Sequence, residues 1–224
     1  MTTPHGNGSM LNMVTNALLT LLDLALRDTT FENVLRHLGE GVSAASRRAN
    51  SPEGHEDWVD AVVDEECDFI EDILGAAVVV CQTRITAITS LALQLGQRAL
   101  DKGTPFAAFG GRKEDVRALG EAASLPAVPG KSSFSKVEVL WALANYFKHR
   151  DEWRKMDWTK LSGQEQRTVE VIAAVGLRSG STGNLRQGAQ VLGNASYADT
   201  DVFAQAVNEW GEKVRDAIKK ELGQ

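Results

Sequence analysis

The chain has 224 residues, of which 43% are hydrophobic and 24% are charged, with 20 glycines and 5 prolines. This ordinary composition excludes a collagen, a low-complexity disordered chain and a disulfide-stapled miniprotein. The 24 basic and 30 acidic residues give a net charge of −6, so the surface as a whole cannot act as a non-specific binder of polyanions. Nucleic-acid binding would therefore need a local basic patch.

The sequence predicts a protein of the reducing cytoplasm. Residues 1–10 lack a basic segment followed by a long apolar stretch, so we expect no secretory signal. The longest apolar run, residues 73–81, is far shorter than the roughly 20 residues that span a bilayer. Cys67 and Cys81 fall in one predicted helix, about 21 Å apart, which is too far for a disulfide.

Helical spacing of apolar residues accounts for most of the chain, whereas residues 1–9 are small and polar and predict a loose tail. The predicted helices cover residues 10–27, 30–49, about 55–99 and 113–119, and then 165–177, 185–192 and 202–222. Between these two groups, a further helix is predicted to begin after Ser133, its N-cap, and to end at Trp153. In the very long third helix, Gly75 or Gly96 is a candidate for a kink or an end. Since strand alternation and internal repeats are hard to find, we predict an all-α fold.

Several kinds of active site are excluded or poorly supported. The glycines at 176, 180 and 183 lack the Gly-Lys-Ser/Thr of a phosphate-binding loop, so they indicate a helix-ending turn. Neither Ser179 nor Ser181 has the flanking glycines of a nucleophile elbow. The four histidines are scattered, with no HExxH or CxxC pattern, so we predict no metal and no other cofactor.

The helix that ends at Trp153 carries the candidate functional residues. With about 100° of rotation per residue, Leu140 lies opposite His149 and marks the core face. The face of His149 then carries side chains that are polar or small: Glu138, Ala142, Asn145 and Glu152. The neighbours of the histidine are cationic: Lys148, Arg150, Arg154 and Lys155.

This combination of residues suits proton transfer next to a phosphate. An imidazole can accept or donate a proton near neutral pH, and nearby cations can stabilise a phosphoryl transition state. Metal-free RNA cleavage needs little more, because the 2′-hydroxyl of RNA supplies the nucleophile. The alternative is a solvated helix face with ordinary salt bridges.

The segment ANYFKHRDEW, on a late helix that follows a very long one, resembles the HEPN superfamily of helical nucleotide-binding domains. The resemblance implies an up-and-down bundle of about four helices over residues 10–160. We predict that residues 161–224 form a helical extension packed on the same domain. The family motif is an arginine, usually followed by a polar residue such as Asn, and then a histidine, with four to six residues between the arginine and the histidine. His149 and Asn145 match the last two, but alanine or leucine stands wherever the arginine would belong.

Two functional hypotheses follow from the resemblance. In the first, the chain is a metal-independent ribonuclease of a toxin or antiphage system. His149 would be its general acid or base, and Lys148 or Arg150 would stabilise the phosphate. Asn145 would orient the histidine or the phosphate. The aromatic rings of Tyr146 or Trp153 would stack on a base.

In the second hypothesis the chain is a non-catalytic helical binding module, such as an antitoxin, immunity or scaffold partner, which the missing arginine and the acidic net charge favour. A nucleotide-binding pocket without RNA cleavage is a further alternative.

We expect a homodimer in which the motif helices face each other, since the small Ala142 and the polar Asn145 would permit close approach. RNA, a nucleotide and a cognate protein are the candidate partners.

Overall fold

The computed structural model describes residues 7–51, 58–101, 111–123, 133–153, 157–158, 160–178 and 182–224. In these residues the predicted all-α fold is confirmed, and the only β pairing is an isolated antiparallel bridge between Ala122 and Ser135. Helices α1 to α9 are, in chain order, Asn7–Arg27, Thr30–Asn50, Val59–Asp101, Lys113–Arg117, Lys136–Lys148, Arg150–Trp153, Gly163–Ala174, Asn184–Val191 and Asp201–Glu221.

The bundle is organised around α3, which has 43 residues and is therefore about 65 Å long. It packs against α1, α2, α4, α5, α8 and α9. Because it has neighbours on several sides, its apolar residues extend beyond a single stripe. The helix continues through Gly75 and Gly96, so the predicted kink or end at these glycines is wrong. Gly75 instead lets the Phe147 ring approach the backbone of α3 closely.

By length and composition alone, α3 is the one described helix that is long and apolar enough to cross a membrane. Half of its most apolar window is buried inside the protein. The core helix of a soluble bundle passes the same test, so this finding is weak evidence for a membrane span. Cys81 is buried in this helix and Cys67 is partly buried, and both are free thiols.

The second central element is α5, which contacts α3, α4, α7, α8 and α9. Its start is fixed by a capping box: the Ser135 Oγ atom accepts from the Glu138 N–H, and the Glu138 carboxylate accepts from the Ser135 N–H. The predicted N-cap at Ser133 was wrong by two residues. The helix ends at Lys148, His149 forms the cap, and the short α6 follows, so the predicted continuous helix to Trp153 is interrupted.

Helices α7 to α9 share the core with the helices that precede them. The longest of them, α9, packs on α1, α2, α3 and α5, and the side chains of Phe203 and Trp210 are almost fully buried. The Trp210 indole N–H donates to the Val116 carbonyl of α4 at 2.9 Å. The C-terminal region therefore helps to hold elements that lie much earlier in the chain.

The prediction of a loose tail over residues 1–9 was partly wrong. Helix α1 already begins at Asn7, so residues 7–9 are helical, while residues 1–6 lie outside the described part of the chain. The glycine-rich turn is confirmed where it is described, since Gly176 and Gly183 have φ angles of 90° and 77° that favour glycine.

Candidate functional site

The His149 side chain lies at the surface, at the junction between α5 and α6. Its backbone N–H donates to carbonyls of the last turn of α5, and its own carbonyl accepts from the backbone N–H groups of Glu152 and Trp153 in α6. The ring is 50% exposed, and its Nδ1 atom is 3.1 Å from the Glu152 carboxylate. The Nε2 atom has no hydrogen-bond partner among the residues that the structure describes, and an imidazole nitrogen of this kind can take part in proton transfer.

The predicted polar face of α5 is not a surface. Ala142 is fully buried, so it cannot contact a second chain, and its predicted place at a dimer contact is wrong. Glu138 is 7% exposed, caps its own helix and forms an ion pair with Arg167 of α7 at 3.2 Å. Neighbouring helices cover most of α5, and its one exposed residue is Lys148, at its C-terminal end.

The other predicted catalytic residues do not converge on His149. The Asn145 Oδ1 atom accepts from Gln82 Nε2 of α3 at 2.8 Å, on the side of α5 where Lys148 also lies. Arg150 donates to Asp72 at 2.6 Å and lies over the Phe147 ring at 5.2 Å, against a different part of α3. The hydrogen bond to Asp72 raises the pKa of the Arg150 guanidinium above its usual value.

The residues predicted to stack on a base are mostly inside the protein. The Tyr146 ring is 6% exposed, and its hydroxyl accepts from Asn184 Nδ2 at 2.6 Å. Trp153 is 5% exposed and meets the Trp158 ring edge-on, with the ring centroids 6.2 Å apart. Neither ring presents a free face for stacking, so this predicted role is wrong for both. Arg154, the remaining predicted binding residue, lies outside the described residues.

A cavity of about 380 Å³ between α3, α4 and α5 brings many of the polar side chains of the bundle together, and we name it the basic cavity. Helix α3 contributes Gln82, Thr86, Thr89 and Ser90. These four positions are spaced by four, three and one residues, so they lie on one face of the helix. The apolar helix therefore turns a strip of hydroxyl and amide groups toward the cavity.

The opposite walls of the basic cavity supply positive charge. Helix α5 contributes Trp141, Asn145 and Lys148 at helical spacing, and α4 contributes Lys113 and Arg117. The Arg117 guanidinium stacks on the Trp141 ring, 4.2 Å from its centroid. Among the described residues, neither Lys113 nor Lys148 forms an ion pair.

One carboxylate, Glu114, also lines the basic cavity and forms an ion pair with Arg117 at 3.1 Å. Burial lowers the pKa of the Arg117 guanidinium, and the nearby Glu114 and Glu138 carboxylates oppose that shift. Three cations against one anion leave the cavity with an excess of positive charge.

The same cavity contains a buried hydroxyl group that forms no hydrogen bond. Thr89 is 2% exposed, and its Oγ1 atom has no partner among the residues that the structure describes. Most buried polar atoms in native proteins are hydrogen-bonded, so an exception that lines a cavity indicates a group that could serve a ligand.

A second cavity, of about 260 Å³, lies on the other side of α5 and is acidic. Asp68, Glu71 and Asp72 of α3 line it with Arg150 and Asp151, and we name it the acidic cavity. In the described part of the chain, His, Cys, Asp and Glu side chains form no group of three that could hold a metal ion.

Sequence reasoning found two residues of the basic cavity, Asn145 and Lys148, and missed those of α3 and α4. A signal was present, because Gln82, Thr86 and Thr89 interrupt a long apolar helix at helical spacing. The five-residue helix α4 was predicted, but nothing in the sequence showed that Lys113 and Arg117 would face α5.

No family model, curated protein or solved structure that was compared with the chain matches it. The resemblance to the HEPN superfamily therefore stands on the ANYFKHRDEW segment and the helix layout.

Proposed function

We propose that this chain is a HEPN-like protein that acts as a non-catalytic helical binding module in the cytoplasm. The observation that carries the proposal is the separation of the motif side chains. His149 faces solvent with Glu152, Asn145 and Lys148 line the basic cavity, and Arg150 is bound to Asp72. These are three different surroundings.

Ribonuclease chemistry needs the opposite arrangement. A base, an acid and a cation must reach one phosphate together, because positioned groups supply most of the rate enhancement. Within one chain the His149 ring has the Glu152 carboxylate beside it, while the Arg150 guanidinium is held elsewhere. By contrast, the basic cavity gathers cations, hydroxyls and amides around one space, which favours binding.

The histidine–carboxylate pair is also not specific to the motif. His37 of α2 makes the same contact with Glu40 three residues later, at 2.9 Å, and its ring is 71% exposed. Pairs of this kind, three residues apart on a helix surface, are ordinary local contacts. The pair at His149 therefore does not by itself indicate catalysis.

The second candidate is a metal-independent ribonuclease whose site forms between two copies of the chain. It is favoured by the half-exposed imidazole of His149, which has the Glu152 carboxylate on Nδ1. The second copy would have to supply the missing cation. The homodimer stays a prediction that light scattering tests, and its contact would have to lie elsewhere than Ala142.

An RNA-cleavage assay in EDTA separates the two candidates. The purified chain is incubated with single-stranded RNA beside His149→Ala and the matched control His37→Ala. A non-catalytic module leaves the RNA intact in all three samples. Cleavage that is lost in His149→Ala and kept in His37→Ala would overturn the proposal in favour of the ribonuclease.

A further inference from the structure

We infer that the basic cavity is the binding site for a small phosphate ester that carries hydroxyl groups, such as a phosphorylated sugar. This inference rests on the proposed binding role and names its ligand. It starts from three polar strips, one on each of α3, α4 and α5, that converge on a single space. Helical bundles build their ligand sites from side chains on facing helices in this way.

The charges of the basic cavity suit a phosphate group. Lys113, Arg117 and Lys148 outnumber the single carboxylate Glu114, and a phosphate monoester carries nearly two negative charges at neutral pH. The Arg117 guanidinium is held in place by the Trp141 ring and is 5% exposed, so little of its freedom remains to be lost on binding. Planar guanidinium groups and lysines together are common ligands of phosphate.

The neutral groups of the basic cavity suit the rest of the ester. The buried Thr89 hydroxyl, which has no partner in the described residues, would gain one from a ligand. Thr86 and Ser90 add hydroxyls on the same face of α3. The Asn145 oxygen accepts from Gln82, and its amide N–H groups, which donate to no described residue, could donate to a ligand. These groups match a ligand with several hydroxyls.

The size of the cavity excludes a bare anion as the complete ligand. A volume of about 380 Å³ is at the lower end of the range for small-molecule sites, about 300–1,000 Å³. Inorganic phosphate would leave most of this space unfilled. A phosphate attached to a small polyhydroxylated body would contact both the cationic walls and the hydroxyl strip of α3.

Isothermal titration calorimetry on the full chain tests the inference with four probes: inorganic phosphate, ribose, ribose 5-phosphate and adenosine 5′-monophosphate. We expect ribose 5-phosphate to bind at least about tenfold more tightly than phosphate or ribose, because it uses both halves of the cavity. Tighter binding of the adenosine ester would identify the ligand as a nucleotide. If neither ester bound more tightly than phosphate, the inference would be wrong.

Two variants locate the binding, each with a matched control. Lys148→Gln should weaken ribose 5-phosphate binding by about 10-fold or more, and Thr89→Val by about 2- to 10-fold, as expected for a charged and a neutral hydrogen bond. Lys213→Gln on α9 and Thr83→Val on the exposed face of α3 should leave binding unchanged. If Thr89→Val did not fold, Ser90→Ala would replace it. Equal affinities in the cavity variants and their controls would overturn the inference.

The outcomes separate this inference from the proposed function. A chain that leaves RNA intact but binds neither ester would keep a binding role and lose this ligand. A chain that cleaves RNA through His149, yet binds ribose 5-phosphate in a Thr89-dependent manner, would keep the ligand site and lose the non-catalytic role.

Discussion

Helix α5 separates two cavities of opposite charge, and their side chains are used differently. In the acidic cavity the two carboxylates nearest to other helices already have partners within the protein: Glu71 accepts from the N–H groups of Leu185 and Arg186 and from Arg186 Nε, and Asp72 accepts from Arg150. In the basic cavity, Lys113 and Lys148 form no ion pair with any described residue, and the Thr89 hydroxyl has no described partner.

The difference distinguishes charge that holds a fold from charge that remains available. Glu71 of α3 caps the N-terminus of α8 and so holds α8 against α3. The negative charge of the acidic cavity therefore serves structural contacts. The basic cavity has groups that the fold does not use. Stability measurements should therefore respond strongly to substitutions on the acidic side and weakly, or favourably, to those on the basic side.

The largest effect is expected for Glu71→Ala in the acidic cavity. The change removes three hydrogen bonds at once and leaves the first N–H groups of α8 without a partner, so we expect a loss of about 3 kcal/mol in the free energy of unfolding. Urea denaturation measures it. Asp68→Asn, on the exposed rim of the same cavity, is the control and should change stability by less than about 0.5 kcal/mol. Similar values for the two variants would contradict a structural role for Glu71.

The next largest effect is expected for Gly75→Ala, which tests how closely α5 approaches α3 beside the acidic cavity. An added Cβ would lie 2.1 Å from the Phe147 ring, so the ring must move, at a cost of about 2 kcal/mol. Gly41→Ala is the control, because its Cβ would meet only the tip of the Ile73 side chain, at 3.2 Å. Thermal unfolding of both variants should show a clear decrease in Tm for Gly75→Ala alone.

An effect of opposite sign is expected for Thr89→Val in the basic cavity. Valine has nearly the shape of threonine and removes the unpartnered buried hydroxyl, so the ligand-free chain should become more stable by about 1 kcal/mol. Thr83→Val removes a hydroxyl that donates to the Val79 carbonyl at the surface, and it should give no gain. A loss of stability in Thr89→Val would show that the hydroxyl is already hydrogen-bonded in the folded protein.

The smallest effect on stability is expected at the Arg48–Glu66 ion pair, which lines neither cavity. Hydrogen bonds from the Arg48 guanidinium hold the pKa of the Glu66 carboxyl below its usual value. Because the folded pKa is the lower one, the pair stabilises the chain above the unfolded pKa of about 4.3, and this contribution disappears as the pH falls through the folded pKa.

Glu66→Gln tests this pH dependence. The variant should have a slightly lower Tm than the unmodified chain at pH 7, and the difference should shrink as the pH falls through the folded pKa of Glu66. Glu65→Gln, at an exposed neighbouring position, should show no such convergence. A difference that grew at low pH would reverse the assigned direction of the pKa shift.

The sequence predicted the helices well where their apolar spacing alone determines them. The bounds of α2, α8 and α9 were predicted to within one residue, and α3 to within four residues at its start and two at its end. Periodicity succeeds there because it reflects burial directly.

The sequence predicted the functional side chains less well. The helical wheel of α5 predicts that the face with His149 is exposed to solvent. Six other helices contact α5, so Glu138 and Ala142 are interior positions, although the wheel placed them with His149. No glycine or proline signals the end of α5 at His149, where Arg150 turns toward Asp72 of α3. Contacts of this kind join residues that are distant in sequence, and a single helix pattern does not contain them.

The short helix α4 links the basic cavity to the C-terminal end of the chain. With five residues it is too short to be stable alone. It is held because Ser135 Oγ donates to the Arg117 carbonyl at 2.8 Å and the indole of Trp210 donates to the Val116 carbonyl. A chain truncated before α9 would lose the second of these anchors, and with it the wall that carries Lys113 and Arg117.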